Sequence, residues 1–115
     1  MQDINEAKVL LSKAISYQIE GFEGKARVTS RLAVAAALQT LYTEWKLALP
    51  QGSALDLIKS ASSCSGLPYD QQQLLQHFTQ KVGENYHLPE EMDLLADAQM
   101  FIQWVNFQLN GAKES

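Results

Sequence analysis

The sequence predicts an all-α fold: an up-down bundle of four main helices plus one short helix. Three observations carry that expectation. Apolar residues recur at three- and four-residue spacing through most of the chain. Alternating runs rich in Val, Ile and Thr, the mark of half-buried strands, are missing. The segment 31–45, RLAVAAALQTLYTEW, is apolar without a break from Leu32 to Leu38. A helix carrying that run cannot keep a face in water there, so it must be the central helix of the bundle. Its alanines let neighbouring helices approach closely.

The elements then fall in order. Asp3 and Glu6 have the spacing of a capping box, so a helix should follow from about Ile4. Ala7, Leu10, Leu11, Ala14, Ile15 and Ile19 supply its apolar side, and Gly21 and Gly24 interrupt the pattern. The second helix should cover about 25–47. Val34, Leu38, Leu41 and Trp45 make a 4-3-4 stripe, which Leu32, Ala35 and Tyr42 widen. Pro50, Gln51 and Gly52 end it, because proline cannot continue a helix.

Ser53 can cap a short third helix, with Asp56 in its first turn and Leu57, Ile58 and Ala61 on its apolar side. The stretch 60–68, SASSCSGLP, reads as a loop. Asp70 is the expected cap of the fourth helix, whose buried side is Leu74, Leu75, Phe78 and Val82, with Gly83 weakening its end. The last helix has Pro89 at its first position and Glu90, Glu91 and Asp93 in its first turn, where the helix dipole favours acids. Leu95, Ala98, Ile102, Val105 and Leu109 repeat 3-4-3-4, and Asn110 and Gly111 are the expected stop.

At 115 residues the chain is expected to form one domain, 1–115, large enough for its own core. A hydrophobic fraction of 46% and a charged fraction of 19% are those of an ordinary globular protein. The net charge is -4, unevenly spread. Residues 1–50 hold six Lys/Arg against five Asp/Glu, and residues 51–115 hold three against eight. So acidic a second half argues against a general nucleic-acid surface, which needs clustered basic side chains. The single cysteine, Cys64, cannot form an internal disulfide and fits a reducing compartment. No apolar run approaches the roughly 18–20 residues of a membrane span. The acidic, polar start MQDINEAKVL lacks the pattern of a signal peptide. A cytoplasmic location is the expectation, with neither membrane nor nucleic acid as a partner.

Few constellations point to chemistry. Glu84 and His87 have the Glu-x-x-His spacing of di-iron bundles, but such sites need a second copy and two more glutamates. A solvated loop between Gly83 and Pro89 is the simpler reading. His77 borders Leu74, Leu75 and Phe78 and reads as a boundary histidine with one hydrogen bond. Cys64 lies in a serine-rich loop with no oriented cation to activate its thiol. Neither a Gly-x-Ser-x-Gly motif, a phosphate-binding glycine loop nor a zinc-spaced Cys/His pair is present. The expectation is therefore a non-enzyme with no metal and no cofactor. Lys25, Arg27 and Arg31 form the one basic cluster. In the first turns of the second helix they could meet a phosphate or carboxylate. Alternatively they form a solvated turn with Glu20 and Glu23.

The last helix has an aromatic excess. Met100, Phe101, Trp104 and Phe107 accompany a stripe that is already complete. A bundle helix needs only about a 3/7 apolar face. Either a wide internal core covered by the short helices absorbs the surplus, or the helix carries a contact surface. Phe101, Trp104 and Phe107 are the candidate interface residues, and Phe107, off the stripe, is the best placed for exposure.

Two long helices followed by shorter elements and a closing helix resemble the HEPN superfamily of small bacterial helix bundles. That resemblance implies an all-α fold and, for some members, a ribonuclease with an Arg-x4–6-His motif on a late helix. Here the arginines are Arg27 and Arg31, both early, and neither has a histidine at that spacing. The runs RLAVAAALQTLYTEW (31–45) and LLADAQMFIQWVNFQL (94–109) also look like a family of small uncharacterised proteobacterial helical proteins. That likeness implies only a helical fold and a cytoplasmic location. The expected function is a non-catalytic protein-interaction module, working through a partner protein or as a homodimer. The competing expectation is a HEPN-like toxin–antitoxin component or nucleic-acid-associated effector.

Overall fold

The computed structural model describes residues 4–49, 52–79 and 94–114, with side chains to 110 in the last stretch. Among the described residues the fold is all-α and has no strand. It comprises α1 (Ile4–Ile19), α2 (Glu23–Glu44), α3 (Ala54–Ala61), α4 (Tyr69–His77) and α5 (Leu94–Glu114). Three helices are long, at 16, 22 and 21 residues, and two are short, at 8 and 9. The expected fourth main helix is thus nearly as short as the third within the described residues. Its expected member Val82 lies outside them.

α2 is the hub. It packs most extensively on α1, and α5 and α3 also lie against it, while α4 joins α3 to α5. The cause is the apolar run. Ala33, Val34, Ala35, Ala36, Ala37 and Leu38 are all buried, whereas Leu32 is 44% exposed. Six consecutive buried positions cover more than a full turn, so α2 is enclosed on every side over that stretch. Small side chains make this possible. Ala33 and Ala37 of α2 and Ala7 of α1 are fully buried in one core cluster with Leu38, Leu41, Ile58, Leu75, Phe78 and Phe101.

The α1–α2 connection follows from a glycine. Gly21 has φ of +88°, its N–H donates to the Gln18 carbonyl at 3.1 Å, and the Phe22 N–H donates to the Tyr17 carbonyl at 2.8 Å. This left-handed residue satisfies the last free carbonyls of α1 and reverses the chain. Gly24 interrupts nothing. α2 already begins at Glu23, two residues before the expected start, with an acid at its positive end.

α2 ends at Glu44 rather than near residue 47, so Pro50 is not what stops it. Lys46 takes φ of +59°, its N–H donates to the Thr43 carbonyl at 3.2 Å, and the Leu47 N–H donates to the Tyr42 carbonyl at 2.8 Å. A non-glycine residue in this conformation carries a strain of about 1 kcal/mol or more. Lys46→Gly is therefore expected to raise stability by about 1 kcal/mol, read as a higher urea midpoint. A lower midpoint would show that the lysine side chain contributes more than its backbone costs.

The Ser53 cap forms as a full box. The Asp56 N–H donates to Ser53 Oγ at 3.3 Å, and the Ser53 N–H donates to Asp56 Oδ2 at 3.0 Å. The Ser53 N–H, and the Ser53 hydroxyl that donates to the same Oδ2 at 3.2 Å, hold the Asp56 carboxyl below the usual aspartate range. Asp70 does not cap α4. Pro68 occupies the cap position, and Asp70 sits in the first turn, where its Oδ1 accepts from the Gln71 N–H at 3.0 Å. α5 runs through Asn110 and Gly111 instead of stopping there. The Asn110 side chain donates back one turn to the Asn106 carbonyl and Oδ1, at 3.2 and 2.9 Å, so it braces the helix instead of ending it. The expected signals at Asp3, Pro89, Glu90, Glu91 and Asp93 lie outside the described residues.

Candidate functional site

α5 carries two seams. The inner one is Leu94, Ala98, Phe101, Ile102 and Val105, all buried against α2 and the rest of the core. The outer one is Ala96, Met100, Gln103, Phe107 and Asn110, again at 4-3-4-3 spacing. Met100 is 58% exposed and Phe107 68% exposed. Gln103 and Asn110 are also exposed, and Ala96 is half-buried. Large apolar side chains scattered singly need no explanation, but two on one helical seam form a strip.

The three candidate interface residues separate. Phe101 is completely buried, which corrects its assignment to the interface. Trp104 is half-buried between the seams. Its ring lies 5.9 Å from Phe101 and 6.3 Å from Trp45, the latter edge-on at 88°. Such an edge-to-face pair is a favoured aromatic geometry. Only Phe107 stands clear of the core. The reason is the three-residue step, which turns the helix by about 300° each time. Residues 101, 104 and 107 therefore walk round the helix from core to flank to outside. Met100, one position before Phe101, is the exposed partner of Phe107. Its seven-residue spacing from Phe107 was the available signal.

Charge defines the strip further. From Ala98 to Asn110 α5 has no charged residue, and its polar positions are Gln99, Gln103, Asn106, Gln108 and Asn110. An outer helix face of an ordinary bundle is rich in Lys and Glu. This one has the uncharged, Met- and aromatic-bearing composition found in the centres of protein contacts.

Two of the three basic side chains have protein partners of their own. Lys25 Nζ lies 5.0 Å from the centre of the Phe22 ring and 5.7 Å from that of Tyr17, a cation–π arrangement at the α1–α2 turn. Arg31 Nε donates to the Phe78 carbonyl at 3.3 Å, tying α2 to the end of α4. Burial, and then the charge of Arg27, lower the Arg31 pKa. Arg27 is half-buried. Lys25 and Arg31 are thus held by different protein groups.

The remaining polar candidates hold the structure together. His77 Nδ1 lies 2.8 Å from Asp97 Oδ2, linking the end of α4 to the first turn of α5. The Gln72 Nε2 donates to the carbonyls of Cys64 and Leu67, at 2.6 and 3.0 Å, and pins the loop between α3 and α4. The Cys64 thiol hydrogen-bonds the Tyr42 phenol. Burial first, and that bond second, push the Tyr42 pKa from 10.0 up to about 12. A raised phenol pKa favours the folded state below pH 10 and loses that contribution as pH rises through about 12. The ultraviolet titration of the wild type minus that of Tyr42→Phe should show a single late phenol near pH 12. A difference curve centred near pH 10 would contradict the burial.

Among the described residues no group of three or more His, Cys, Asp or Glu could hold a metal ion. Glu84 and His87 lie outside them. No helix among the described residues is long and apolar enough to cross a membrane. Comparison with known protein families, with characterised proteins and with solved structures yields no match.

Proposed function

We propose that this protein is a non-catalytic interaction module that docks a protein partner, or a second copy of itself, on the outer seam of α5. One observation carries the reading: Met100 and Phe107 stand exposed on one face of a helix that is uncharged from Ala98 to Asn110. Exposed apolar strips of this kind have their ordinary use in binding another polypeptide. The cytoplasm is the proposed location, which suits the free Cys64. The HEPN-like or nucleic-acid reading draws on helix order alone. The arginines it would need are on α2, and Arg31 is engaged by the Phe78 carbonyl.

A photo-crosslinking amino acid at position 107 tests the proposal, with position 9 as control. Val9 is 55% exposed on α1. The expected result is a protein adduct, with itself or another polypeptide, from position 107 and not from position 9. Equal yields from both positions, or none from either, would remove the proposal.

A further inference from the structure

We infer that the occupant of the outer seam is a second copy of the chain, its α5 lying antiparallel across a two-fold axis at Gln103. The inference rests on the reading of that seam as a docking surface and adds the partner, the symmetry and the register.

Spacing supplies the geometry. Ala96, Met100, Gln103, Phe107 and Asn110 repeat 4-3-4-3, the pattern by which one helix packs along another. Their order is nearly symmetric about Gln103: Ala96 and Asn110 lie seven residues to either side, Met100 three before and Phe107 four after. In an antiparallel pair centred there, Ala96 faces Asn110, Gln103 meets its own copy, and Met100 of each chain lies about one residue rise, roughly 1.5 Å, from the level of Phe107 of the other. A two-fold contact must be complementary to itself. Here the large apolar side chains fall at matching levels, a polar residue sits at the centre, and each end pairs a small residue with a polar one. A polar residue at one seam position fixes register at some cost in stability.

Charge selects the partner. A two-fold axis brings any charge near it close to an identical charge, which is unfavourable. α5 has none from Ala98 to Asn110, so the two copies of this stretch bring no like charges together. A nucleic acid or an anionic membrane surface would instead require basic residues along this face, and the same stretch has no Lys or Arg. Two exposed apolar side chains per chain make a contact smaller than the roughly 1,200–2,000 Å² of a standard interface. The dimer is accordingly weak, with a Kd in the micromolar range or above.

Cysteine cross-linking tests the arrangement in the full-length chain carrying Cys64→Ser. Gln103→Cys, Phe107→Cys and Val9→Cys are each oxidised at high protein concentration, after circular dichroism confirms the helical fold. Two Phe107→Cys positions would lie about 12 Å apart along antiparallel helices centred at 103. The expected result is a disulfide-linked dimer from Gln103→Cys at least ten times faster than from the other two. Equally fast linkage at Phe107→Cys indicates a parallel pair and overturns the register. No excess of Gln103→Cys over Val9→Cys overturns the pairing itself. In that last case, a position-107 photo-adduct with a different polypeptide leaves the docking surface standing, and no adduct at all removes both.

Discussion

Phe101→Ala is expected to cost the fold about 3–5 kcal/mol, the usual range for truncating a buried Phe. Phe101 is fully buried on the inner seam of α5, and its ring contacts that of Trp104. Removing it leaves a cavity where α5 meets the core and takes away one side of the Trp104 packing. Domains of this kind have roughly 5–15 kcal/mol in all, so this one change should consume a large part of the total. Phe107→Ala, six residues later on the same helix, should stay within about 0.5 kcal/mol, as exposed substitutions do. Urea denaturation at low protein concentration measures both. A small Phe101 effect, or a Phe107 effect of similar size, would mean that the two seams are assigned to the wrong sides.

Leu38→Ala is expected to cost about 2–5 kcal/mol. Leu38 is fully buried near the middle of α2, the helix on which α1, α3 and α5 all pack. Its loss cannot be repaired by a shift of one neighbour, because α1 and α5 also pack on each other and α3 is tied to α5 through α4. Leu32→Ala serves as the comparison, since Leu32 lies at the start of the same apolar run but is 44% exposed. Its effect should be well below that of Leu38→Ala. An unchanged midpoint for Leu38→Ala would show that α2 is not the centre of the fold.

Much of the architecture was legible before any coordinates. The run from Leu32 to Leu38 could only belong to an enclosed helix, and all of it but its first residue is buried. The Ser53 cap and the Gly21 turn are local features, readable because the residues involved are only three to five apart. The errors have physical causes too. Lys46 ends α2 in a conformation normally left to glycine, which no composition rule marks. Asn110 and Gly111 look like a stop, yet Asn110 bonds back to Asn106 and the helix continues. The long-range partner of Arg31, a carbonyl 47 residues away, had no signal in the sequence. The apolar surplus of α5 was visible, but its division was not drawn. Aromatic residues at three-residue steps cannot share one face, so Phe101 and Phe107 had to point in different directions.

The division of α5 into a seam that holds the fold and a seam that holds a partner is tested most directly by sedimentation equilibrium. The wild type and Phe107→Glu are compared from the low micromolar range to several hundred micromolar. The expected result is a reversible dimer for the wild type toward the upper end. Phe107→Glu should remain a folded monomer throughout, with an unchanged denaturation midpoint at low concentration. A wild type that stays monomeric over the whole range, or a folded Phe107→Glu that still dimerises, would contradict self-association through the outer face of α5.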